Sequence, residues 1–274
     1  MKSLLVGSVF KNTEPDQIEW LDLQLKFLSA TTDDYDHVAV LNCEDPEPFN
    51  KFTKVVSFGN GNDVLQSQQH VNGLNSLVRY FKTVVDEYEN FLFIDNDAFP
   101  IKRNWINILR SRMDNHQKSV AAVLRTENLE TRLHASVLFC NPEALDNLDF
   151  FFGQTGSDLL RYEEQDVGIG DYQDELRGEV WPLIRTNKIN IHPISCGVYF
   201  DMFYHHAFGS PSSATKFRAE LRDYSTHYSG DMTDFPALHQ RLQDNPFVFV
   251  RRLAGWCPEQ YPGSADQCKG ETGA

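Results

Sequence analysis

The chain has 274 residues, a formal net charge of −14 and 41% hydrophobic residues. This apolar content predicts one large folded α/β domain and excludes general disorder, and the negative charge argues against nucleic acid as a partner. The five cysteines form no Cys-x-x-Cys pair, which argues against structural zinc. The first apolar run is too short for a signal-peptide core, and no run of about 18 apolar residues follows it. We therefore expect a cytoplasmic protein without a transmembrane segment.

Strands and helices alternate in the first hundred residues. Short apolar runs predict strands at residues 4–10, 37–42, 54–58 and 90–94. A helix with leucines on one face follows the first run. A second helix carries apolar residues at helical spacing, namely Val71, Leu74, Val78, Phe81 and Val85. This alternation predicts a mostly parallel sheet with helices on both faces.

The second half of the chain is less regular. We predict a helix around residues 105–113, strands at 120–124 and 136–140, and a short helix beginning at Pro142. Residues 159–179 are rich in charge and are expected to be helix or loop. Late strands are predicted at 189–194 and 198–200, followed by a loop at 201–213 and helices at 214–224 and 234–243. From Gly255 onward, proline and glycine predict an irregular tail.

Two carboxylates, Asp95 and Asp97, directly follow the buried strand at 90–94. In open α/β sheets, ligands bind at the carboxyl ends of the strands, which is where this pair falls. Carboxylate oxygens are the ligands that Mg²⁺ and Mn²⁺ prefer. The pattern predicts a divalent metal site that bridges the phosphates of a nucleotide diphosphate.

The segment FLFIDNDAFP, residues 91–100, resembles the Asp-x-Asp signature of GT-A glycosyltransferases. The resemblance implies a Rossmann-like GT-A fold with a central mixed, mostly parallel sheet. It implies that Asp95 contacts ribose and metal and that Asp97 chelates the metal. We expect one domain at residues 1–254, with a nucleotide-binding half at 1–100, an acceptor half at 101–254, and a tail at 255–274.

A histidine is the expected third metal ligand. His206-Ala207-Phe208-Gly209 resembles the His-x-x-Gly element of glycogenin-like retaining transferases, in which the histidine binds the metal. We favour His206, with the adjacent His205 as the alternative. The Lys-Pro-Trp that follows the glycine in that family is missing, because Ser210-Pro211-Ser212 stands there.

The acceptor side rests on the acidic cluster Glu163-Glu164-Gln165-Asp166. It resembles both the general-base position of inverting transferases and an Asp-Gln element of retaining ones. An inverting enzyme needs a carboxylate to take the proton of the acceptor hydroxyl. Asp166 is the first candidate and Glu164 the second, and the stereochemistry stays open.

Four further residues are candidate contacts to the nucleotide sugar, a UDP- or GDP-sugar. Gly7 lies on the first strand, Asp45 follows the second, and Arg79 lies on the helix before the Asp-x-Asp segment. Lys216, with Arg218 as the alternative, is expected to replace the missing lysine as a diphosphate contact.

Three other functions share features of this sequence with a transferase. A phosphatase of the haloacid dehalogenase type places its Asp pair near the N-terminus and carries Thr or Val soon after, whereas Ala98-Phe99-Pro100 follows here. A nucleotidyltransferase that forms sugar nucleotides carries a Gly-rich basic loop, which residues 7–11 do not form. A non-catalytic carbohydrate-binding domain with a transferase-like fold stays open.

Overall fold

The structure is a computed structural model that describes residues 1–10, 15–42, 46–58, 66–125, 132–153, 166–169, 180–183, 185–188, 197–205 and 244. Its helices are α1 (Pro15–Thr31), α2 (Glu47–Asn50), α3 (Gln66–Thr83) and α4 (Trp105–Asn115). Short 3₁₀ turns occupy Val85–Glu87 and Pro142–Asn147. Among the helices of this part of the chain, none has both the length and the apolar character needed to cross a bilayer.

The strands form one large sheet and two small ones. The strands are β1 (Leu4–Phe10), β2 (Tyr35–Leu41), β3 (Lys54–Phe58), β4 (Phe91–Ile94), β5 (Ala98–Pro100), β6 (Val120–Arg125), β7 (Arg132–Cys140), β8 (Phe150–Gly153), β9 (Asp166–Ile169), β10 (Val180–Leu183), β11 (Arg185–Lys188), β12 (Gly197–Tyr199) and β13 (Phe203–His205). The large sheet has seven strands in the order β10-β6-β7-β4-β1-β2-β3. Within it, only β7 runs antiparallel to its neighbours, β4 and β6. The predicted α/β class with a mixed, mostly parallel sheet is confirmed.

The two faces of the large sheet are covered by different helices. Successive side chains of a strand point to opposite faces. Accordingly, Leu5 and Val9 of β1 pack in a cluster with the apolar face of α3, whereas Leu4 and Val6 belong to a cluster with α4. All of β1 is buried, as expected for a central parallel strand.

Helix α3 lies unusually close to β1. A Cβ atom placed on Gly7 of β1 would lie 2.7 Å from the ring of Phe81 and 2.9 Å from Leu77. A Cβ placed on Gly73 of α3 would lie 2.5 Å from Val9. The two glycines therefore allow strand and helix to approach each other.

A four-stranded antiparallel sheet, β11-β12-β13-β5, joins the two halves of the chain. Its strand β5 belongs to the predicted nucleotide-binding half, and the other three come from the second half. The expected loop at 201–213 is wrong at its start, because residues 203–205 form β13 and pair with β5. Three residues are too few to show the alternation of a strand, so this pairing was not evident from the sequence.

The helix or loop predicted for the charged residues 159–179 is wrong in one part. Residues 166–169 of this segment form β9, which pairs antiparallel with β8 in a two-stranded sheet. The predicted strand at 189–194, the helices at 214–224 and 234–243 and the tail from residue 255 lie outside the described residues.

Candidate metal centre at the end of strand β4

The candidate centre begins where β4 ends. The backbone N–H of Asp95 donates to the carbonyl of Ser136 on β7, at 2.9 Å, and the chain then turns. The N–H of Ala98 donates to the carbonyl of Asp95 at 3.0 Å, which closes a four-residue turn. The turn presents Asp95 and Asp97 at the carboxyl edge of the parallel strands, as the sequence predicts.

Strand pairing supplies the third side chain. Ala98, the first residue of β5, is the partner of His205 in the ladder with β13. As a result, Nε2 of His205 lies 3.4 Å from Oδ1 of Asp97 and 3.6 Å from Oδ2 of Asp95. One ligand atom from each of the three residues lies within 4.8 Å of the others.

The three side chains are largely removed from water. The side chains of His205, Asp97 and Asp95 are 3%, 7% and 12% exposed. Within the described part of the chain, Oδ1 of Asp95 is buried without a hydrogen bond. Two buried carboxylates repel each other and are costly unless protons or a cation compensate them. The donor set, two carboxylates and an imidazole, fits a divalent ion such as Mn²⁺.

A second histidine, which the sequence analysis missed, lies beside Asp95. Nε2 of His70, in the second turn of α3, is 3.4 Å from Oδ1 of Asp95, and the side chain is 32% exposed. Because α3 follows β3, its first turns lie at the carboxyl edge of the sheet. That topological rule was the available signal for His70.

Arg79 is not brought to this cluster. It lies nine residues after His70, which corresponds to about 13 Å of helix rise. Its side chain is exposed and donates to Oγ of Ser76 at 2.8 Å. It lines a cavity of about 390 Å³ together with Lys82 and Asp149. The nucleotide contact assigned to Arg79 stays a prediction, and this position does not add to its support.

Of the other predicted site residues, Gly7 and Asp166 are among the described residues. Gly7 lies in β1 under Phe81, where the lack of a side chain serves the packing of α3. Asp166 begins β9, opposite Gly153 in the ladder with β8. Asp45, Glu164, His206 and Lys216 lie outside the described residues. The roles assigned to these six residues stay predictions.

The chain is similar to several solved structures of glycosyltransferases, at low identity. The mannosyltransferase PcManGT from Pyrobaculum calidifontis, in complex with GDP-Man and Mn²⁺, is 13% identical over 53% of this chain and 46% of that chain, with a TM-score of 0.37. TarS of S. aureus is 14% identical over 91% and 43%, with a TM-score of 0.40. The apo form of GlyE from Streptococcus pneumoniae TIGR4 is 13% identical over 54% and 36%, with a TM-score of 0.34.

The chain spans less than half the length of each of these three proteins. No family model and no curated protein sequence matches it. Similarity at this level does not identify a reaction.

Proposed function

We propose that this chain is a metal-dependent glycosyltransferase that moves a hexosyl or pentosyl group from a nucleotide-diphosphate sugar to a hydroxyl acceptor. The observation that carries the proposal is the convergence of Asp95, Asp97 and His205, with ligand atoms within 4.8 Å of one another at the carboxyl edge of a mostly parallel sheet. This edge is where nucleotides bind in open α/β folds.

The three side chains would hold Mn²⁺ or Mg²⁺. A nitrogen ligand beside two carboxylates makes Mn²⁺ the better fit, because Mg²⁺ favours oxygen ligands. When bound, the ion supplies positive charge to the two phosphates of a UDP- or GDP-sugar and stabilises them as the leaving group. Asp95 and Asp97 then act as ligands, and their burial excludes water that would weaken these charge interactions.

On the acceptor side, we assign the acidic cluster at residues 163–166 to the reaction. In an inverting mechanism, a carboxylate accepts the proton of the acceptor hydroxyl while its oxygen attacks the anomeric carbon. Asp166 is the proposed base and Glu164 the alternative. In a retaining mechanism, the same segment would contact the donor sugar instead.

The decisive experiment measures donor binding and donor turnover with and without metal. Isothermal titration of UDP and GDP, each with and without Mn²⁺, is expected to give binding that depends on the ion. A panel of UDP- and GDP-sugars is then tested for release of the nucleoside diphosphate. Metal-dependent binding without any turnover would favour the non-catalytic carbohydrate-binding alternative.

The matched variants are Asp97→Ala and Asp86→Ala. Asp97 is a proposed ligand, whereas Asp86 is an exposed carboxylate in the 3₁₀ turn before β4, at the opposite end of that strand. We expect Asp97→Ala to abolish metal-dependent binding of the nucleotide without unfolding the protein, and Asp86→Ala to bind like the wild type. Retention of metal-dependent binding in a folded Asp97→Ala protein would refute the proposed site.

A further inference from the structure

A fully buried amide, Gln24, lies in the middle of α1 on the side that faces the large sheet. Its relative exposure is 0%, and its helical neighbours Leu21 and Leu28 are equally buried among apolar residues. A glutamine in such a place is costly unless its donors and acceptor are all paired. Its partners therefore show what the residue contributes.

The amino group of Gln24 holds both ends of the metal-site turn. Nε2 donates to the carbonyl of Asp95 at 2.9 Å and to the carbonyl of Ala98 at 2.8 Å. Bridging two carbonyls requires a group with two hydrogen-bond donors, and the amino group of the carboxamide supplies both. The orientation of the amide is thereby fixed, with Nε2 toward the turn and Oε1 away from it.

The opposite side of the amide is held by two residues of the sheet. Oε1 accepts from the hydroxyl of Ser8 at 2.8 Å and lies 3.0 Å from Nε2 of His37. Because Oε1 can only accept, the imidazole must carry its proton on Nε2. Its Nδ1 lies 2.6 Å from Oγ1 of Thr53, and the single proton of that hydroxyl also has the backbone carbonyl of His37 within reach, at 2.9 Å. Ser8 and His37 thus hold the oxygen of the amide from the side opposite the turn.

A second glutamine on the same helix face holds the middle of the turn. Oε1 of Gln17 accepts from Nδ2 of Asn96 at 2.7 Å. Gln17 and Gln24 are seven residues apart, which places them on one face of α1 about two turns from each other. Helix α1 thus contacts Asp95, Asn96 and Ala98, and these contacts lie on both sides of the Asp97 side chain in the sequence.

We propose that Gln24 is a positioning residue for the metal centre: its amide sets the backbone of the turn that carries Asp95 and Asp97. The inference rests on the proposed metal-dependent function. The bond to Asp95 fixes the first ligand, and the bond to Ala98 fixes the residue that pairs with His205. Partners that orient metal ligands commonly change metal affinity roughly 10- to 100-fold when they are removed.

The test is the Mn²⁺ affinity of Gln24→Met, measured by titration followed by electron paramagnetic resonance, with no nucleotide present. Methionine fills a similar volume but donates no hydrogen bond. We expect its dissociation constant for Mn²⁺ to rise roughly 10- to 100-fold over the wild type. An affinity equal to that of the wild type in the folded variant would overturn the role of Gln24.

The control is Asn90→Leu, which removes another buried amide. Asn90 is 1% exposed and its Nδ2 donates to the carbonyl of Ser3 at 2.9 Å, at the end of β4 that is remote from the metal centre. Urea unfolding of the metal-free proteins measures how much stability each variant loses relative to the wild type. Loss of Mn²⁺ affinity in Gln24→Met but not in Asn90→Leu supports positioning, whereas equal losses in both would show only general destabilisation and overturn it.

If Gln24→Met does not fold, the Mn²⁺ affinity of Ser8→Ala is measured instead. This change removes one donor to Oε1 and leaves both bonds from Nε2 to the turn in place. We expect a smaller but measurable loss of Mn²⁺ affinity, and an unchanged affinity would overturn the inference. A wild-type protein that binds no Mn²⁺ would instead refute the proposed function, so the two failures are distinguishable.

Discussion

Ala98 lies directly opposite His205 in the antiparallel ladder between β5 and β13. This pairing adds the imidazole of His205 to the two carboxylates of the turn, and the three side chains form one cluster of ligands. A shift of the register by one residue would point the other face of β13 toward the carboxylates. The identity of the histidine ligand is therefore decided by strand register.

The first prediction separates the two adjacent histidines. The sequence resemblance favoured His206, whereas the residue found beside Asp95 and Asp97 is His205. We expect His205→Ala to weaken Mn²⁺ binding at least as strongly as the loss of an outer partner does, which is roughly 10- to 100-fold. His206→Ala should bind Mn²⁺ as the wild type does. The measurement is a Mn²⁺ titration of each metal-free variant, and the reverse pattern would restore the assignment to His206.

The second prediction concerns the close approach of α3 to β1. Replacing a glycine inside a helix by alanine ordinarily raises the free energy of unfolding by about 1 kcal/mol. At Gly73, however, the new Cβ would lie 2.5 Å from Cγ1 and 2.9 Å from Cγ2 of Val9. We expect Gly73→Ala to lower the free energy of unfolding by about 1 to 3 kcal/mol, the usual cost of overpacking.

The Val9→Ala background provides the matched comparison for Gly73. It removes both methyl groups that the new Cβ would meet. In that background, Gly73→Ala should become neutral or stabilising, by up to about 1 kcal/mol. The four free energies of unfolding, from urea titration, form a double-mutant cycle. Simple additivity of the two changes would contradict the steric explanation.

Local patterns were sufficient for the longer helices and strands of the first hundred residues. The repeat of apolar residues predicted α3, and the short apolar runs predicted β1 and β3 with their observed bounds. The Asp95–Asp97 pair could also be placed, since the end of a parallel strand is a general ligand position. These predictions depend on residues that are close together in the sequence.

Contacts between distant residues account for what the sequence did not reveal. His205 and Ala98 are brought together by β5 and β13, strands too short to have a recognisable period. Gln24 is a polar residue on a buried helix face, and a hydrophobic pattern treats such a residue as an exception. Its partners on β1, β2 and the metal-site turn exist only in the folded chain.

The third prediction tests the two acidic candidates on the acceptor side. Asp166→Asn and Glu164→Gln remove a basic carboxylate with little change of shape. If Asp166 is the base, Asp166→Asn should lower kcat by roughly 10²- to 10⁴-fold, the usual contribution of such a group. The affinity for nucleotide with Mn²⁺ should be unchanged, because the proposed metal ligands remain. A loss of activity confined to Glu164→Gln would transfer the role to that residue.

The final prediction follows from the burial of His37. Burial lowers the pKa of this imidazole to about 3, whereas a histidine in an unfolded chain titrates near about 6.5. Between these two values the unfolded chain binds a proton that the folded protein does not. Stability from His37 is therefore complete above about pH 6.5 and falls as the pH is lowered toward 3, by up to about 1.4 kcal/mol per pH unit.

His37→Gln isolates this contribution, because glutamine does not titrate. Urea unfolding of both metal-free proteins is measured from pH 7 down to about pH 4.5, where all other titrating groups are shared and cancel in the difference. Wild type should be the more stable protein at pH 7, since glutamine cannot reproduce both contacts of the imidazole to Thr53 and Gln24. We expect this difference to narrow as the pH falls below about 6.5. A difference that stays constant over the range would show that His37 takes up its proton equally in the folded and unfolded chain, contrary to its burial.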